Sequence, residues 1–386
     1  MTSPPHGGPA ALAGLLCARG VLTDPVWERV FASVPRHAFL PDVVWANDAD
    51  GWLSPVTRDD PRWWEWAYSD VPVVTQVDDG APEGADGRGR LATSSASQPL
   101  MVAAMLDALE VYDGARVLEI GTATGFNAAL LSARLGSRQV TTVEIDAALA
   151  EQGRANLERA GFAPTVVVGD GTKGVAADAP YDRVLSTVAA KSVPFAWVEQ
   201  TRPGGVIVTP WGNDYLGHHL LRLDVGADGT ASGRIIGPAA FMWLRGQRSY
   251  TGTWRDHIDF DAPMAEGTTT LDPGAVLAAE DSGARFVIGA AVEDLYAMRF
   301  SARDGSGEFT VWLYDARGSW AAADHVPGAD EFAVSHHGPR RLWAEVERAY
   351  TAWEAAGRPE RDRLGLTVSA AGQAVWVDEP GIVVGP

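Results

Sequence analysis

Three groups of residues in this sequence have the types and spacing to do chemistry together. The first is the run Glu119-Ile120-Gly121-Thr122-Ala123-Thr124-Gly125-Phe126. Gly121 and Gly125 allow backbone N–H groups to approach a ligand, and the helix expected after them would open with unpaired N–H groups facing it. The second group is Glu144, closing the apolar run Val140 to Val143, with Asp170-Gly171, just beyond Val166 to Val168. An acidic residue at the tip of the second strand of a doubly wound sheet commonly binds both ribose hydroxyls. Asp170, at a third strand tip, could accept an exocyclic amine, and Gly171 would leave room for a ring. The third group is the hydroxyl-rich Thr93-Ser94-Ser95-Ala96-Ser97-Gln98-Pro99 ahead of a helix. Hydroxyls and free N–H groups at such a helix start can hold a carboxylate. A nucleoside pocket beside a carboxylate-orienting turn is the chemistry these groups suggest.

The first group decides which nucleoside. A dinucleotide site wants GxGxxG, three glycines that let a pyrophosphate settle on the helix N-terminus. Ala123 stands at the second of those positions, and Glu119 puts a carboxylate beside the turn. A carboxylate repels a pyrophosphate but suits an ammonium or a sulfonium. The run therefore resembles the acidic-x-Gly-x-Gly loop of S-adenosylmethionine-dependent methyltransferases. That resemblance makes Glu119, Gly121, Thr124, Gly125 and Glu144 candidate cofactor-binding residues, with S-adenosyl-L-homocysteine as the product. A glycine turn without a ligand is the plainer alternative.

Periodicity supplies the elements that must position these residues. Val117 to Ile120, Val140 to Val143, Val166 to Val168, Val184 to Ser186 and Val206 to Pro210 read as strands, separated by helical patterns at Ala128 to Leu135 and Ala147 to Ala160. This alternation predicts an α/β fold built on a Rossmann-like sheet. Pro99 to Leu109 reads as a helix, for which Ser97 as N-cap is the ordinary alternative to a carboxylate-holding role. Upstream, Ala10 to Arg19 and Asp24 to Ser33 read as helices, Val71 to Val77 as a strand, and Met1 to Gly8 as loose chain. Trp63, Trp64 and Trp66 suit either core or an aromatic wall for a peptide. Asp78 to Arg90 has too little apolar surface to order itself and is expected to be a mobile loop. Downstream, Leu220 to Val225 and Gly233 to Ile236 read as strands. An α+β appendix then follows, with strands at Arg285 to Ile288, Ala297 to Phe300 and Glu308 to Tyr314, a helix at Pro339 to Ala356, and a closing hairpin, Leu364 to Ser369 with Gln373 to Val377.

Composition removes several function classes. With 386 residues, 46% of them hydrophobic, the chain can bury more than one core. A net charge of −19 argues against a nucleic-acid surface, which needs clustered Lys and Arg. Cys17 is the single cysteine, so no internal disulfide can form, and no apolar run approaches membrane-spanning length. A cytoplasmic protein without a membrane partner is expected. The pairs His218-His219 and His336-His337 lack metal-ligand spacing, and no metal is expected.

Several phrases, taken in order, resemble the protein-L-isoaspartate O-methyltransferase family. They are Val34-Pro35-Arg36-His37-Ala38-Phe39-Leu40-Pro41, the Ser95-Ala96-Ser97-Gln98-Pro99 turn, Val168-Gly169-Asp170-Gly171, and Thr187-Val188-Ala189-Ala190-Lys191-Ser192-Val193-Pro194. Phe241 to Leu244 looks like the family's last strand, so the resemblance runs from Val34 to Leu244. It implies Ser97 as the active-site serine, Ser95 beside the cofactor, Asp170 and Gly171 at the adenine, and Ser94, Thr187, Val188 and Ala189 on the substrate side. Arg36 and His37 are expected to be structural. The chain departs from the family pattern at Val188 and Lys191, which replace Ala and Pro, at Ala123, which replaces Gly, and at Phe126-Asn127, which replace Tyr-Gln. The resemblance is to the C-terminally extended relatives that accompany ribosomally made peptides of the lanthipeptide, lasso and graspetide kinds. It implies residues 1–92 as an N-terminal helical segment with the loop, 93–250 as the methyltransferase domain and 251–386 as a peptide-recognition domain. The implied reaction is methylation of an Asp carboxylate in a precursor peptide, leading to succinimide or isoaspartate. General isoaspartate repair and a non-catalytic peptide-binding protein on the same fold are the alternatives.

Overall fold

Five parallel strands form one side of the molecule's largest sheet. The computed structural model describes residues 7–249, 253–277 and 282–383. Most of the stretch expected as loose chain, residues 1–6, lies outside them. The N-terminal helices α1 (Gly8–Ala18) and α2 (Pro25–Ser33) lead into a hairpin of β1 (Val43–Asn47) and β2 (Leu53–Thr57). The Asp24 carboxylate caps α2 by accepting from Val26 N at 2.7 Å, with Pro25 in the first turn. After α3 (Pro61–Tyr68), strands β3 (Val73–Val77) and β4 (Ala92–Ala96) complete a four-stranded sheet in the order β2-β1-β3-β4. Trp63 is fully buried, while Trp64 and Trp66 pack at the core's edge.

The segment expected as a mobile loop, Asp78 to Arg90, is held chiefly from its own first residue. The Asp78 carboxylate accepts from the backbone N–H groups of Glu83, Arg90 and Leu91, and Trp45 Nε1 donates to Gly87 O at 2.9 Å. Hydrogen bonds to a carboxylate order a loop that apolar burial could not.

Helix α4 (Pro99–Leu109) then leads to the main sheet: β5 (Val117–Ile120), α5 (Phe126–Leu135), β6 (Val140–Glu144), α6 (Ala147–Arg159), β7 (Thr165–Val168), β8 (Tyr181–Ser186), α7 (Phe195–Glu199), β9 (Thr201–Asn213), β10 (Gly217–Val225) and β11 (Ala231–Pro238). A five-stranded antiparallel sheet follows, made of β12 (Ala265–Thr269), β13 (Tyr296–Ser301), β14 (Phe309–Tyr314), β15 (Trp320–His325) and β16 (Phe332–His337), with α8 (Pro273–Val276), α9 (Gly283–Ala291) and α10 (Leu342–Ala355) packed on it. The closing hairpin, β17 (Leu364–Ser369) and β18 (Gly372–Val377), returns to the main sheet and pairs with β11. That sheet runs β18-β17-β11-β10-β9-β8-β5-β6-β7, parallel from β9 to β7. Chain order reverses between β8 and β5, and a crevice forms outside the carboxyl ends of strands at such a switch point.

Two expected strands take other forms. Arg285 to Ile288 lies inside α9, whose start is capped by Ser282 Oγ accepting from Arg285 N at 3.2 Å. The run is apolar and short enough to fit either element by periodicity. Phe241 to Leu244 forms only an isolated bridge, Trp243 to Ala189. There Met242 O accepts from Ala189 N at 2.7 Å and Leu244 N donates to Ala189 O at 2.8 Å.

Candidate active site

A cleft of about 790 Å³, open to solvent, lies at that switch point. Of the residues expected to do chemistry, Ser94, Ser95, Ser97, Gly121, Glu144, Asp170, Gly171, Thr187 and Val188 all line it. Residues far apart in sequence thus meet because each stands at or just past the carboxyl end of a parallel strand, or on β4 and the turn that follows it.

The hydroxyl turn is fixed by a buried cation. Arg36 is fully buried, and its guanidinium donates to the carbonyl oxygens of Trp66 (2.8 Å), Ser69 (3.5 Å), Val71 (3.0 Å), Ala96 (3.0 Å) and Ser97 (3.0 Å). Burial pushes its pKa down to about 10, partly opposed by Asp70, so it stays charged at neutral pH. Asp70 also replaces Ser97 as the cap of α4. Its Oδ1 accepts from Leu100 N at 2.9 Å and its Oδ2 from Gln98 Nε2 at 3.1 Å, and it pairs with Arg19. Capping by Ser97, the ordinary alternative for this turn, is not what the structure shows, because a carboxylate some 30 residues away does that work. Ser97 lines the cleft, and its hydroxyl makes no hydrogen bond among the described residues. Ser94 is buried and accepts from Thr75 Oγ1 at 3.2 Å.

The acidic side is equally oriented. Glu144 Oε2 accepts from Ala123 N at 2.9 Å and its Oε1 from Asp146 N at 3.1 Å, which aims the carboxylate at the strand tip. Asp170 accepts from Thr172 N and Thr172 Oγ1 on its Oδ1 alone, and these bonds hold its pKa below the usual carboxylate range. Thr187 Oγ1 donates to Gly121 O at 2.8 Å, tying the end of β8 to the turn. Gly121 sits at φ 95°, and a Cβ there would lie 2.7 Å from Thr187 Oγ1, so only glycine fits.

Four expected site residues do not line the cleft. Glu119 lies fully buried behind the loop, accepting from Asn127 Nδ2 at 2.6 Å and from Thr142 Oγ1 at 2.6 Å. Burial pushes its pKa up to about 7, against the pull of those two bonds, with nearby Glu144 adding to the rise. Through these bonds it supports the loop from beneath. Thr124 is buried and contributes its carbonyl to Asn156 Nδ2, at 2.9 Å. Gly125, at φ 91°, is where a Cβ would strike Gly153 O at 3.1 Å, so it serves the packing of α5 on α6. Ala189 is buried between Met242 and Leu244.

The remaining wall escaped sequence reasoning. Phe241 to Arg245 and Arg248 line the cleft, and His218 holds this wall by accepting from Phe241 N at 3.1 Å and packing its ring 4.1 Å from that of Trp243. Arg248 pairs with Asp79 at 2.8 Å, and Arg245 with Asp79 at 3.2 Å and Asp146 at 3.4 Å. The two pairs with Asp79 join the Asp78 loop to the wall, that of Arg248 across 169 residues, a separation that no local motif reports.

Comparison with known proteins agrees with this geometry. Residues 62–249 match the family described as Protein-L-isoaspartate(D-aspartate) O-methyltransferase. A protein-L-isoaspartate O-methyltransferase of Thermococcus onnurineus (strain NA1) is 34% identical over 233 residues, covering 60% of this chain and 90% of that relative. Protein-L-isoaspartate O-methyltransferase 2 of Polaromonas sp. (strain JS666 / ATCC BAA-500) is 41% identical over 225 residues, covering 57% and 90%. A solved protein-L-isoaspartate O-methyltransferase structure aligns over 95% of this chain and 99% of its own, with a TM-score of 0.55 and 21% identity, a likeness of fold.

Proposed function

The chain belongs to the protein-L-isoaspartate O-methyltransferase family, and on that footing we propose that it methylates an ordinary aspartate side chain in one ribosomally made peptide. It is an S-adenosylmethionine-dependent methyltransferase, acting on a carboxylate as its family does. The observation that carries the reading is the single cleft in which Ser97 shares space with Glu144 and Asp170. The lining fits an adenosyl group. Glu144 and Asp170 are aimed carboxylates at strand tips, Gly121 and Gly171 present no side chain, and Ile145 adds a half-exposed apolar surface beside them.

Bound S-adenosylmethionine supplies the electrophilic methyl group. Glu144 would hold the ribose hydroxyls and Asp170 the adenine amine, with Gly171 and Ser95 against the nucleoside. The acceptor carboxylate has a pKa of about 4 and is already ionised at neutral pH, so this chain need not supply a general base. Ser97 Oγ would donate to one acceptor oxygen and leave the other free to attack. A neutral hydroxyl orients the anion without holding its charge so tightly that attack slows, and positioning alone can remove several kcal/mol of barrier. Ser94, Thr187 and Val188 would border the acceptor. Once the methyl ester forms, the backbone nitrogen of the next residue attacks its carbonyl carbon, methanol leaves and a succinimide closes, which water can open to isoaspartate.

One feature supports a particular peptide as substrate: Val188 and Lys191 stand where the family pattern has Ala and Pro, in the segment that follows the cleft residue Thr187. We assign residues 251–386 to peptide recognition, apart from the hairpin β17–β18, which joins the main sheet through β11, with residues 93–250 assigned to methyl transfer and residues 1–92 to holding the hydroxyl turn through Arg36. General isoaspartate repair is the second reading, favoured by the names that the relatives carry. A radioactive-methyl assay with an isoaspartyl peptide and its aspartyl twin separates the two. Preference for the aspartyl peptide is expected, and clear preference for the isoaspartyl one would establish repair instead.

A further inference from the structure

Directly after Thr187 and Val188, which line the cleft, Ala189 to Val193 is a strip of backbone whose five consecutive N–H groups are all taken. Ala189 N donates to Met242 O and Ala190 N to Pro210 O, which are main-chain partners from the catalytic half. The next three donate to side chains. Lys191 N (2.7 Å) and Ser192 N (3.1 Å) share Gln247 Oε1, and Val193 N donates to Gln373 Oε1 at 3.2 Å. Both glutamines also close the circuit from the other end, with Gln247 Nε2 donating to Ser192 O at 2.8 Å and Gln373 Nε2 to Lys191 O at 2.9 Å. Side-chain amides that donate and accept on one short strip mimic a strand partner and fix the path of that strip.

Gln373 stands on β18, more than a hundred residues past the family match that ends at 249. We propose that Gln373 is a positioning residue for methyl transfer: the C-terminal hairpin completes the substrate lip and sets the path of Thr187 to Val193 beside the acceptor. The inference rests on the methyltransferase reading of the cleft. Gln373 acts through the lip and not on the substrate, because Lys191, Ser192 and Gln373 border a separate hollow that shares no lining residue with the active-site cleft. Lys191 is essential to the arrangement in its main chain, since a proline there would have no N–H for Gln247 to accept.

The test uses the full chain with Gln373→Ala and Gln373→Glu. The expected result for Gln373→Ala is a fall of about tenfold in kcat/KM for the carboxyl peptide, S-adenosylhomocysteine affinity within about twofold of wild type, and faster hydrogen exchange at the Lys191 to Val193 amides. Gln373→Glu keeps the acceptor for Val193 N but loses the donor to Lys191 O, and should fall between the two. Unchanged kcat/KM in Gln373→Ala overturns the proposal whichever way exchange moves, and so does a parallel loss of cofactor affinity, which would make Gln373 a residue of the fold alone. If wild type methylates no carboxyl peptide, the functional reading fails, and the exchange rates of the lip still decide whether Gln373 holds it.

Discussion

The two sides of the cleft are built in opposite ways. On the proposed cofactor side, Gly121 follows directly on β5, Glu144 ends β6, and Asp170 and Gly171 stand two and three residues past β7, so the strand ends of the parallel sheet set each position. On the acceptor side, Ser97 is set by Arg36, the lip by Gln247 and Gln373, and the aromatic wall by His218. Every one of those contacts joins segments distant in sequence. A binding site for a common cofactor can be a local phrase repeated on strand tips, whereas the surface that selects a substrate is assembled from the rest of the molecule.

The largest effect expected from breaking this contrast lies on the acceptor side. Arg36→Met leaves carbonyl oxygens of Trp66, Val71, Ala96 and Ser97 without their buried donor. Denaturant unfolding should show a loss of about 3–5 kcal/mol, and S-adenosylhomocysteine affinity measured on the folded fraction should change little. A loss below about 1 kcal/mol would mean the turn is fixed by something else.

On the cofactor side the sensitive group is Glu119. Its pKa is raised from 4.5 to about 7 in the folded chain, so folding favours its protonated form. The stability it contributes is complete below about pH 4.5 and is lost as pH rises through about 7. Glu119→Gln, neutral throughout, should therefore lack this component of the pH dependence, a difference on the order of 3 kcal/mol between pH 4.5 and pH 8. Parallel stability–pH curves for the two proteins would show that the carboxyl is not held neutral.

A smaller effect sharpens the same side. Ala123 sits at φ 45°, a left-handed conformation that costs a side-chain-bearing residue roughly 1 kcal/mol, and its N–H is the one that orients Glu144. Ala123→Gly should raise the unfolding free energy by up to about 1 kcal/mol without weakening cofactor binding. A loss of stability would place the strain elsewhere.

This division also explains what could be seen in the chain before its fold. The strands that carry Gly121, Glu144 and Asp170 were legible because a β-branched run, a small-residue turn and a helical period lie side by side. Glu119 was legible as a carboxylate near the turn but not as a buried one, since its partners Asn127 and Thr142 meet it only when β5, β6 and α5 pack. That Asp70 caps α4, leaving Ser97 free of the capping alternative, was not legible because Asp70 arrives from another element. Strand β15, Trp320 to His325, carries three consecutive alanines with little strand preference, and it forms because β14 and β16 flank it. Arg245 and Arg248 were invisible for the same reason as Asp79, their partner in a stretch whose composition suggests only looseness.

The central claim is that a serine hydroxyl presents a carboxylate to the cofactor in this one cleft. The direct measurement is methyl transfer from labelled S-adenosylmethionine to a carboxyl peptide by wild type and by Ser97→Ala, with S-adenosylhomocysteine binding followed by calorimetry on both. The account predicts a kcat/KM lower by about ten- to a hundredfold in the variant, with cofactor affinity within about twofold. Undiminished turnover in Ser97→Ala would contradict it.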